Sequence, residues 1–586
     1  MLRVERFVSA TPLVSALPSR QARRWEIAPR APKEHLDSFP DLHPLVVQLL
    51  YNRDLKQPDQ IAGFLSPSTT SVDPFRLKGM GDAVMRLRRA VLDGEPIAVY
   101  GDYDVDGVTA TVLLTQTLRD LGANVTPYIP DRFEEGYGLN MGALDKLAAQ
   151  GVRVVVTVDC GARAMTEIEH GNQIGLEVIV TDHHEPEGDA LPPAFAIINP
   201  RQRGCLYRDE DLAGVGLAFR LAQALTWELA RDNRLLPFAV DELLDLVALG
   251  TVADLAPLRG ENRSMVQRGL ALINARARPG IAALSDVSGL RPGEIDAAAI
   301  GYSLGPRLNA AGRVEHARAA YELLASDSIE HAAQFAYQLN EQNRERQRLT
   351  AEVVEQATAH ALAADPDAPL LFAGSAEFSP GVVGLAASRL VEVHHRPAIV
   401  MSFGDGVARG SARSIPQFHI THALDACRDL LVKHGGHAAA AGFTVILDRL
   451  DELKTRLTAI AAQKRAADDW SPILKADALV RLATLSPALY DTLVQLEPHG
   501  IGNPKPVFVS RNIRVQNKRA LKDGAHLKLA LLDENGRTWD AIAFRMGDRI
   551  DHIPDKIDLA YAFEVNVWNG ERRFQLNVKD LQSAQV

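Results

Sequence analysis

Three aspartates alternate with other residues directly behind an apolar run in VYGDYDVDGVTA, at Asp102, Asp104 and Asp106. Carboxylates this close together repel one another and raise each other's pKa unless a cation compensates their charge. The opening spacing also matches an EF-hand calcium loop. However, the twelfth position, which should be a bidentate glutamate, is Leu113, and a strand is predicted before the loop where an EF-hand has a helix. The segment therefore predicts a metal site of another type.

Two further segments supply possible ligands. VTVDCGA contains Asp159, and TDHHE contains Asp182, His183 and His184. An aspartate beside a metal-binding histidine commonly fixes the tautomer of the imidazole. The alternative is that one of the histidines only caps the following turn. Oxygen ligands with one or two imidazoles suit Mn²⁺ or Mg²⁺, and the nitrogen donor favours Mn²⁺.

The elements that must position these residues begin at Pro96. Short β-rich runs (PIAVYGD, VTPYIPD, VRVVVTVD, LEVIVTD and AFAIINP) alternate there with helical stretches. This alternation predicts a doubly wound parallel sheet. Such sheets bind ligands beyond the carboxyl ends of their strands, and each acidic or histidine-bearing segment follows a strand. We therefore expect the three clusters to meet in one crevice.

The remainder of the chain predicts three more parts. An amphipathic stretch from about Ile329 to Ala363 contains no Gly or Pro and favours a long connecting helix. LLFAGS, RPAIVMS and AGFTV indicate a smaller α/β domain, and the last part alternates apolar and polar residues around Asn535-Gly536 and Asn569-Gly570, which is typical of an antiparallel barrel. The predicted division is a flexible arm over 1–40, the parallel-sheet domain over 41–325, the connecting helix over 326–367, the smaller α/β domain over 368–460 and the barrel over 461–586.

Composition limits the class of protein. A chain of 586 residues is expected to be multidomain, and no apolar run reaches the roughly 18 residues of a membrane-spanning helix. Three cysteines without CxxC spacing argue against disulfides and thiolate zinc sites and favour a reducing cytoplasm. The Arg-rich opening is interpreted as a mobile arm, with an organellar transit peptide as the alternative. The net charge of −10 argues against binding nucleic acid over the whole surface but allows a local basic groove.

The acidic segments also carry a family resemblance. GDYDVDG, VDCGA, TDHHE and the later LGTVADLAPL resemble the four motifs of the DHH phosphoesterase superfamily. GYSLGPRLNAAGRV and KHGGHAAAAGF resemble the RecJ family with its DHHA1 domain, and the resemblance runs from about residue 40 to the end. It implies a metal-dependent exonuclease that degrades single-stranded DNA from 5′ to 3′ in recombination and repair, built from a DHH domain, a DHHA1 domain and an OB-fold.

The resemblance implies a centre of two divalent ions that share one carboxylate. The implied ligands of the first ion are Asp104 and Asp159 with Asp102 in support, and those of the second are Asp106, Asp159, His183 and Asp254. Related pyrophosphatases have a histidine ligand where this chain has Tyr100, so Asp102 or water is expected to substitute there. Asp182 is expected to orient an imidazole, and His184 to face the scissile phosphate. The ions suit phosphodiester hydrolysis without a protein nucleophile.

Arginines and glycines are the candidate phosphate ligands, because guanidinium groups bind phosphate with two hydrogen bonds and glycine lets a phosphate approach the main chain. The candidates are Arg132, Arg307, Asn309, Arg313, Ser411, Arg413, Gly435, Gly436 and His437. Surface salt bridges are the alternative for the arginines, and tight helix packing is the alternative for the alanines in HGGHAAAAG.

The terminal barrel carries a basic run with aromatic residues nearby, which is how OB-folds hold single strands. The basic residues are Arg511, Arg514, Lys518, Arg519 and Lys522, and the aromatic residues are Phe508, Trp539, Trp568 and Phe574. Aromatic side chains in strands more often belong to the core, so the basic run is the stronger signal.

Two other functions remain open at this point. Smaller DHH enzymes cleave short oligonucleotides, and degenerate relatives act as replication scaffolds without catalysis. The family resemblance further implies single-stranded DNA, single-strand-binding protein and a RecQ-type helicase as partners of a monomeric enzyme that does not bind membranes.

Overall fold

The N-terminal segment is anchored to the C-terminal part of the chain. In this computed structural model, which describes residues 23–66, 72–132, 134–188, 190–568 and 571–584, the first elements are β1 (Arg24–Ile27), α1 (Lys33–Asp37), α2 (Pro44–Asn52) and α3 (Pro58–Leu65). β1 pairs in parallel with residues Ile473–Ala476, and Trp25 Nε1 donates to Asp580 Oδ2 at 2.9 Å. The predicted flexible arm therefore differs from the structure from residue 24 onward, because these contacts order it. Residues 1–22 lie outside the described residues.

A five-stranded parallel sheet forms the first large domain, in the order β3-β2-β4-β5-β6. Alternate strand residues face two separate cores: Val154 and Val156 face one, and Val155 faces the other. Helices therefore cover both faces, and the predicted doubly wound sheet is confirmed. The elements are α4 (Met80–Asp93), β2 (Ile97–Tyr100), α5 (Val105–Asp120), β3 (Val125–Tyr128), α6 (Met141–Ala149), β4 (Val154–Val158), α7 (Met165–Gln173), β5 (Glu177–Thr181) and β6 (Ala196–Ile198).

A helical region follows the sheet and ends in a helix of 36 residues. At about 1.5 Å per residue this helix spans about 54 Å, and it lies within one residue of its predicted bounds. A π-helical turn over Ile300–Leu304 precedes α13. The helices are α8 (Gly214–Ala230), α9 (Leu244–Ala253), α10 (Gly260–Ala275), α11 (Pro279–Val287), α12 (Ala297–Ala299), α13 (Gly305–Val314), α14 (Arg318–Ala325) and α15 (Ile329–Ala364).

The second, smaller α/β domain is also confirmed, and its sheet has the order β10-β11-β9-β8-β7. Only β7 and β8 run parallel in it. Two of its strands, β9 and β10, contain predicted phosphate-binding residues. The elements are β7 (Leu371–Ser375), α16 (Val383–His394), β8 (Ala398–Gly404), β9 (Val407–Arg413), α17 (Ile420–Asp425), β10 (Leu431–Gly436), β11 (Ala440–Ile446) and α18 (Leu450–Ala467).

The C-terminal part is a closed barrel in the order β14-β15-β16-β18-β17, in which β17 pairs back onto β14. Five strands closed in this way are consistent with the predicted OB-fold. The elements are β12 (Ile473–Ala476), β13 (Ala478–Leu479), α19 (Pro487–Val494), β14 (Phe508–Leu521), β15 (His526–Leu532), β16 (Thr538–Ala543), β17 (Lys556–Trp568) and β18 (Glu571–Ser583). The predicted Asn535-Gly536 turn joins β15 to β16, whereas Asn569-Gly570 lies outside the described residues.

One buried arginine joins the helical region to both ends of the chain. Arg263 of α10 is 3 % exposed, and its guanidinium lies 3.8 Å from the ring centre of Phe64 in α3. It donates to the carbonyl oxygens of Phe64, Gln495, Leu496, Glu497 and Pro498. The barrel is thereby attached to the helical region that follows the parallel sheet. Across the described ranges, no helix is both long enough and apolar enough to cross a bilayer.

Candidate active site

Three strand ends and one helix end meet at a single edge of the parallel sheet. Asp102 follows β2, Asp159 follows β4 and Asp182 follows β5, while Asp254 follows the C-terminus of α9. The chain reverses its winding direction between β2 and β4, which are neighbours in the sheet. Ligands of doubly wound proteins bind at this kind of switch point, outside the carboxyl ends of the strands.

His183 and Asp159 lie at the centre of the cluster. His183 Nε2 is 3.1 Å from Asp159 Oδ1, and it is 3.9 Å from both Asp106 Oδ2 and Asp254 Oδ2. Ligand atoms within 4.8 Å of one another form three groups: Asp106, His183 and Asp254; Asp102, Asp104 and Asp159; and Asp159, His183 and His184. Asp159 and His183 each belong to two groups, which suits two ions that share a carboxylate.

Two helix N-termini hold the acids of the first segment. Asp104 caps α5, since its Oδ1 accepts from the backbone N–H of Asp106 at 2.9 Å and of Gly107 at 3.1 Å. The Asp106 carboxylate accepts from the N–H groups of Gly214 at 2.7 Å and Val215 at 2.9 Å, at the start of α8. Helix N-termini favour negative charge, so both acids are stabilised where the metal site needs them.

Glycines allow α8 and α9 to approach the acids. A Cβ on Gly214 would lie 2.6 Å from Asp159 Cβ, and one on Gly250 would lie 2.8 Å from Asp106 Oδ1. Asp159 itself has a φ of 62°, a left-handed conformation that is uncommon for residues other than glycine and concentrates at functional sites. Sequence reasoning missed both glycines. For Gly250 the signal was a glycine inside an otherwise apolar helix, where it is unfavourable unless a close approach requires it. Gly214 is the first residue of α8 and gave no such signal.

The acids are buried well enough to change their titration. Burial, reinforced by neighbouring carboxylates, raises the pKa of Asp102 to about 8 and those of Asp106 and Asp254 to about 7, and it raises the pKa of Asp159 strongly. Burial also lowers the pKa of His183, which keeps its imidazole neutral.

Three buried ligand atoms also form no hydrogen bond with any described residue. They are Asp102 Oδ1, Asp159 Oδ1 and His183 Nε2. Buried polar atoms without partners are rare, and crowded carboxylates with a neutral imidazole are the donor set of a divalent ion. The residues present therefore fit Mn²⁺ or Mg²⁺.

Asp182 supports the cluster through His184. Its Oδ1 lies 2.7 Å from His184 Nδ1, and its Oδ2 accepts from the backbone N–H of Ala162 at 2.8 Å. Burial opposes ionisation, but these hydrogen bonds outweigh it and lower the pKa of Asp182, and the same contact raises the pKa of His184. Sequence reasoning missed Tyr137, whose hydroxyl lies 3.3 Å from His184 Nδ1. Tyr137 follows Arg132 by five residues, and no spacing pattern in the sequence links this tyrosine to His183 or His184.

Tyr100 contributes no ligand atom. Its side chain is fully buried, its ring stacks on Tyr128 with a centroid distance of 5.0 Å, and its hydroxyl donates to the carbonyl oxygen of Gly138. The position at which the family resemblance led us to expect a histidine is thus part of the core, and Asp102 lies in the adjoining ligand group.

One of the predicted arginines, Arg313, reaches from the helical region to the smaller α/β domain. Arg132 stacks over Tyr103 at 5.0 Å, and Arg313 donates to the carbonyl oxygen of Gly381 at 3.3 Å. Burial, followed by the charges of Arg132, Arg346 and Arg413, lowers the pKa of Arg313 to about 10. Within the described residues, none of Arg132, Arg307, Arg313 and Arg413 is paired with a carboxylate, so the surface salt bridge alternative is wrong for them.

Asn309 and Arg307 are held by the protein itself. Asn309 Oδ1 accepts from the N–H of Val105 at 3.2 Å, so it positions the turn that carries Asp104. Arg307 donates to Asn340 Oδ1 at 3.0 Å and to the carbonyl oxygen of Ser303 at 2.8 Å.

Two of the predicted residues of the smaller domain, Ser411 and Gly435, lie in one row across its sheet. Ser411 of β9 faces Gly442 of β11, which in turn faces Gly435 of β10. Two strand spacings amount to about 10 Å, and the small residues between leave the surface shallow. Gly436 has a φ of 151°, and His437 follows it as an exposed residue. The helix-packing interpretation of HGGHAAAAG is wrong, because β10 and β11 form a hairpin there.

Ser411 and Arg413 also lie close to the N-terminus of α16. Ser411 Oγ lies 3.2 Å from Arg413 Nη1, and a Cβ on Gly384 would lie 2.9 Å from that hydroxyl. A helix N-terminus beside a hydroxyl and a guanidinium is a favourable environment for phosphate.

The barrel exposes its basic run and buries most of the predicted aromatic residues. Phe508 and Trp539 are 1 % and 2 % exposed, and Phe574 packs against Phe563. These aromatic residues belong to the core, which was the alternative to a role in stacking on DNA. The side chain of Trp568 lies outside the described residues. Phe544, which is 50 % exposed beside His526, was missed. The basic residues on the outer surface are Arg511, Arg514, Lys518, Arg519 and Lys522.

Comparisons with known proteins agree with this geometry. The chain matches the family models of the DHH family N-terminal domain over residues 96–251, the DHHA1 domain over 367–463 and the RecJ OB domain over 476–580. It is 37 % identical over 566 residues to the single-stranded-DNA-specific exonuclease RecJ of Bacillus subtilis (strain 168), covering 95 % of this chain and 70 % of that protein.

Solved structures are similar over the same range. The crystal structure of RecJ in complex with Mn²⁺ from Thermus thermophilus aligns with a TM-score of 0.82 and 30 % identity, over 96 % of this chain and 80 % of that one. The structure of RecJ in complex with Mg²⁺ from the same organism aligns with a TM-score of 0.76 and 28 % identity, over 96 % and 79 % of the two chains.

Proposed function

The chain belongs to the RecJ family of single-stranded-DNA-specific exonucleases, and we propose that it hydrolyses single-stranded DNA from the 5′ end to mononucleotides with two divalent ions. The observation that carries this proposal is the set of ligand groups at the switch point of the sheet, which share Asp159 and His183. Divalent metal dependence follows from the family, and the number of ions and a preference for Mn²⁺ are part of the proposal.

The residues that would hold the ions divide into two groups. Asp106, Asp159, His183 and Asp254 would hold one ion, and Asp102, Asp104 and Asp159 would hold the other. Bound ions of this kind supply an activated water and neutralise charge on the attacked phosphate and the leaving oxygen. His184, kept in position by Asp182, faces the scissile phosphate and offers a proton or positive charge to it.

The arginines define the polarity of digestion. Ser411 and Arg413 beside the N-terminus of α16, with Arg313 and Arg132 nearby, bind the 5′-terminal phosphate. Gly435, Gly436 and His437 extend this surface, Asn309 fixes the acidic turn, and Arg307 binds DNA further along. The support for these roles is the concentration of guanidinium groups without carboxylate partners between the two α/β domains.

Access is limited to single strands by the long helix. α15 connects the two α/β domains and packs against α13, which carries Arg307 and Arg313. We expect a channel bounded by this helix to exclude a duplex, and the basic run on β14 of the barrel to guide the single strand toward it.

The same proposal includes the setting of the enzyme. It acts as a monomer in the cytoplasm, in recombination and mismatch repair, together with single-strand-binding protein and a RecQ-type helicase. Family membership and three free cysteines support this setting. We place the domain boundaries at residues 41, 326, 368 and 461. Residues 24–40 contact the barrel and do not form a free arm.

The two other functions are less well supported. An enzyme for short oligonucleotides needs no terminal barrel, and this chain has one attached through Arg263. An inactive scaffold would not need to keep the five aspartates of the ligand groups and His183 in reach of one another, as this chain does.

A time course on a 5′-labelled single-stranded oligonucleotide with Mn²⁺ tests the proposal, beside a blunt duplex and an EDTA control. We expect immediate release of labelled mononucleotide from the single strand alone. A ladder of shortening labelled products would reverse the polarity, and an intact substrate would favour the scaffold.

A further inference from the structure

The long helix α15 carries two polar side chains, Asn343 and Arg346, with buried atoms that have no hydrogen-bond partner among the described residues. Arg346 lies near Arg307 and Arg313. Asn343 is 2 % exposed, and its buried Oδ1 has no hydrogen-bond partner among the described residues. Arg346, one turn further along, has a buried Nε without a partner, and no ion pair or hydrogen bond satisfies its guanidinium within the described ranges. Buried polar groups are normally satisfied, so two such groups one turn apart need an explanation.

Other arginines of the same helix behave differently. Arg344 pairs with Glu341 at 2.6 Å, and Arg348 pairs with Glu345 at 2.6 Å and with Glu352 at 2.5 Å. Their side chains are 67 % and 55 % exposed. The helix therefore provides carboxylates for its solvent-facing arginines and none for Arg346.

Arg346 lies between the residues already assigned to DNA. Its charge acts on Arg313, and the charge of Arg307 acts on Arg346 in turn. Asn340, which accepts from Arg307, is on the same side of α15 as Asn343, three residues before it. The arginines therefore follow one another from the terminal-phosphate residues, Arg413 and Arg313, through Arg346 to Arg307.

We propose that Arg346 and Asn343 form a binding subsite for an internal phosphodiester group of the single strand, separate from the subsite for the 5′-terminal phosphate. Arg346 donates to the non-bridging oxygens, and the Asn343 amide group donates to the same phosphate. This subsite rests on the proposed function, because it needs a DNA strand to enter between the two α/β domains.

Charge compensation makes this position suitable for a phosphate. A guanidinium that is partly buried among other guanidinium groups and has no carboxylate is unfavourable in the DNA-free protein. A phosphate removes this penalty and takes hydrogen bonds in the fork geometry of arginine. A purely structural position of this kind would be better filled by an apolar residue, or by an arginine with an acid beside it, as elsewhere on this helix.

The substitution Arg346→Met tests the subsite, because methionine retains the apolar stem and removes the charge. Arg348→Met is the matched control, two residues away on the exposed side. Binding of a fluorescent 12-nucleotide strand is measured by anisotropy in EDTA, so that hydrolysis does not interfere. We expect R346M to weaken binding by about ten- to hundredfold and R348M by less than about twofold.

Neutral methylphosphonate groups, introduced one linkage at a time, locate the phosphate. At one internal linkage the replacement should weaken binding by the wild type and leave binding by R346M unchanged, because the two changes remove the same contact. Asn343→Ala should show the same insensitivity at that linkage. The R346M substitution should weaken the binding of a strand with a 5′-phosphate and of a strand with a 5′-hydroxyl by the same factor.

Thermal unfolding gives a second readout that a structural role would not produce. The DNA-free R346M protein should melt at the same temperature as the wild type or higher, because an uncompensated charge has been removed. A lower melting temperature with unchanged DNA affinity would overturn the proposal, as would a loss confined to 5′-phosphorylated strands. Failure of the wild type itself to bind single strands would instead overturn the proposed function.

Discussion

Asp182 Oδ1 lies 2.7 Å from His184 Nδ1, and the other oxygen of this carboxylate is fixed by the backbone N–H of Ala162 at 2.8 Å. The carboxylate is thus held from both sides and cannot rotate away from the imidazole. Because it accepts a hydrogen bond from Nδ1, it determines the ring orientation of His184 and raises its pKa. Positioning of this kind is as important to a metal site as the ligands themselves.

The substitution Asp182→Asn should lower kcat by about ten- to a hundredfold with little change in KM, because the amide removes the charge and retains the shape. In the wild type the raised pKa keeps His184 protonated to higher pH. Without the carboxylate the pKa falls, so the decline of activity on the alkaline side should begin at a lower pH. A pH–rate profile from about pH 5.5 to 9.5 measures this shift.

A surface pair provides the control for that experiment. Asp145 and His170 form a similar contact of 2.8 Å on the exposed side of the parallel-sheet domain. Asp145→Asn should leave both kcat and the profile unchanged. An Asp182→Asn profile that superimposes on the wild type would contradict the positioning role.

Metal binding should stabilise the protein more at high pH than at low pH. In the metal-free folded chain the pKa of Asp102 is raised to about 8 and those of Asp106 and Asp254 to about 7, whereas unfolded aspartates titrate near about 4. The folded state therefore binds more protons than the unfolded state from about pH 4 to 8, and its stability falls as the pH rises through this window. Divalent ions replace those protons.

We therefore expect the rise in Tm on addition of Mn²⁺ to EDTA-treated protein to be larger at about pH 8 than at about pH 5.5. Differential scanning fluorimetry at both pH values measures it. Asp106→Asn should reduce the rise at the higher pH, because a ligand is lost. Equal shifts at the two pH values would mean that protons do not compete with the ion at these carboxylates.

The sequence was sufficient to predict what local patterns determine. Each strand of the parallel sheet is a short run of mostly apolar residues, and acids placed directly after β2, β4 and β5 had to meet because parallel strands end at one edge. The bounds of α15 were predicted within one residue, since its sequence contains no helix breaker between Ile329 and Ala364.

Contacts between distant parts of the chain were not predictable from such patterns. The amides of Gly214 and Val215 reach Asp106 across 108 and 109 residues of sequence, and Trp25 reaches the barrel across 555 residues. No periodicity encodes such pairings. For the same reason the roles of Tyr137 and Arg346 emerged only when neighbouring elements were in place.

The distance between Gly214 and Asp159 makes a sharp test of the site's packing. In Gly214→Ala the new Cβ would lie 2.6 Å from Asp159 Cβ, so Asp159 must move. Because Asp159 belongs to two of the ligand groups, and a displacement of about 1 Å can lower a rate by about a hundredfold, we expect at least that loss of exonuclease activity. Isothermal titration with Mn²⁺ should show a weakened site.

Gly216→Ala is the matched control in the same helix. Its Cβ would meet Leu212 at 3.5 Å and Met265 at 3.6 Å, which are ordinary contacts. It should retain near wild-type activity and slightly stabilise α8, since alanine has the higher helix propensity. Equal losses in the two variants would indicate that the helix, and not the approach to Asp159, is sensitive.

Arg263 holds the barrel to the helical region. Arg263→Met removes a donor from five carbonyl oxygens, of which those of Leu496 and Pro498 still accept from Asn503 Nδ2. Each buried acceptor that stays unsatisfied is unfavourable by about 1 to 3 kcal/mol. We expect the free energy of unfolding to fall by at least about 3 kcal/mol, as measured by urea denaturation. The barrel should then melt as a separate transition in calorimetry, because its main polar attachment has been removed.

Arg259 offers the comparison, since it is exposed at the same junction and donates to the carbonyl oxygen of Gly502 at 2.9 Å. Water can replace that single hydrogen bond, so Arg259→Met should lower the stability by less than about 1 kcal/mol. Only a long strand needs the barrel. In Arg263→Met, the ratio of activity on a strand of about 4 nucleotides to activity on a strand of about 30 nucleotides should therefore be higher than in the wild type. If the long strand is digested as well as before, the barrel does not depend on Arg263 for its position.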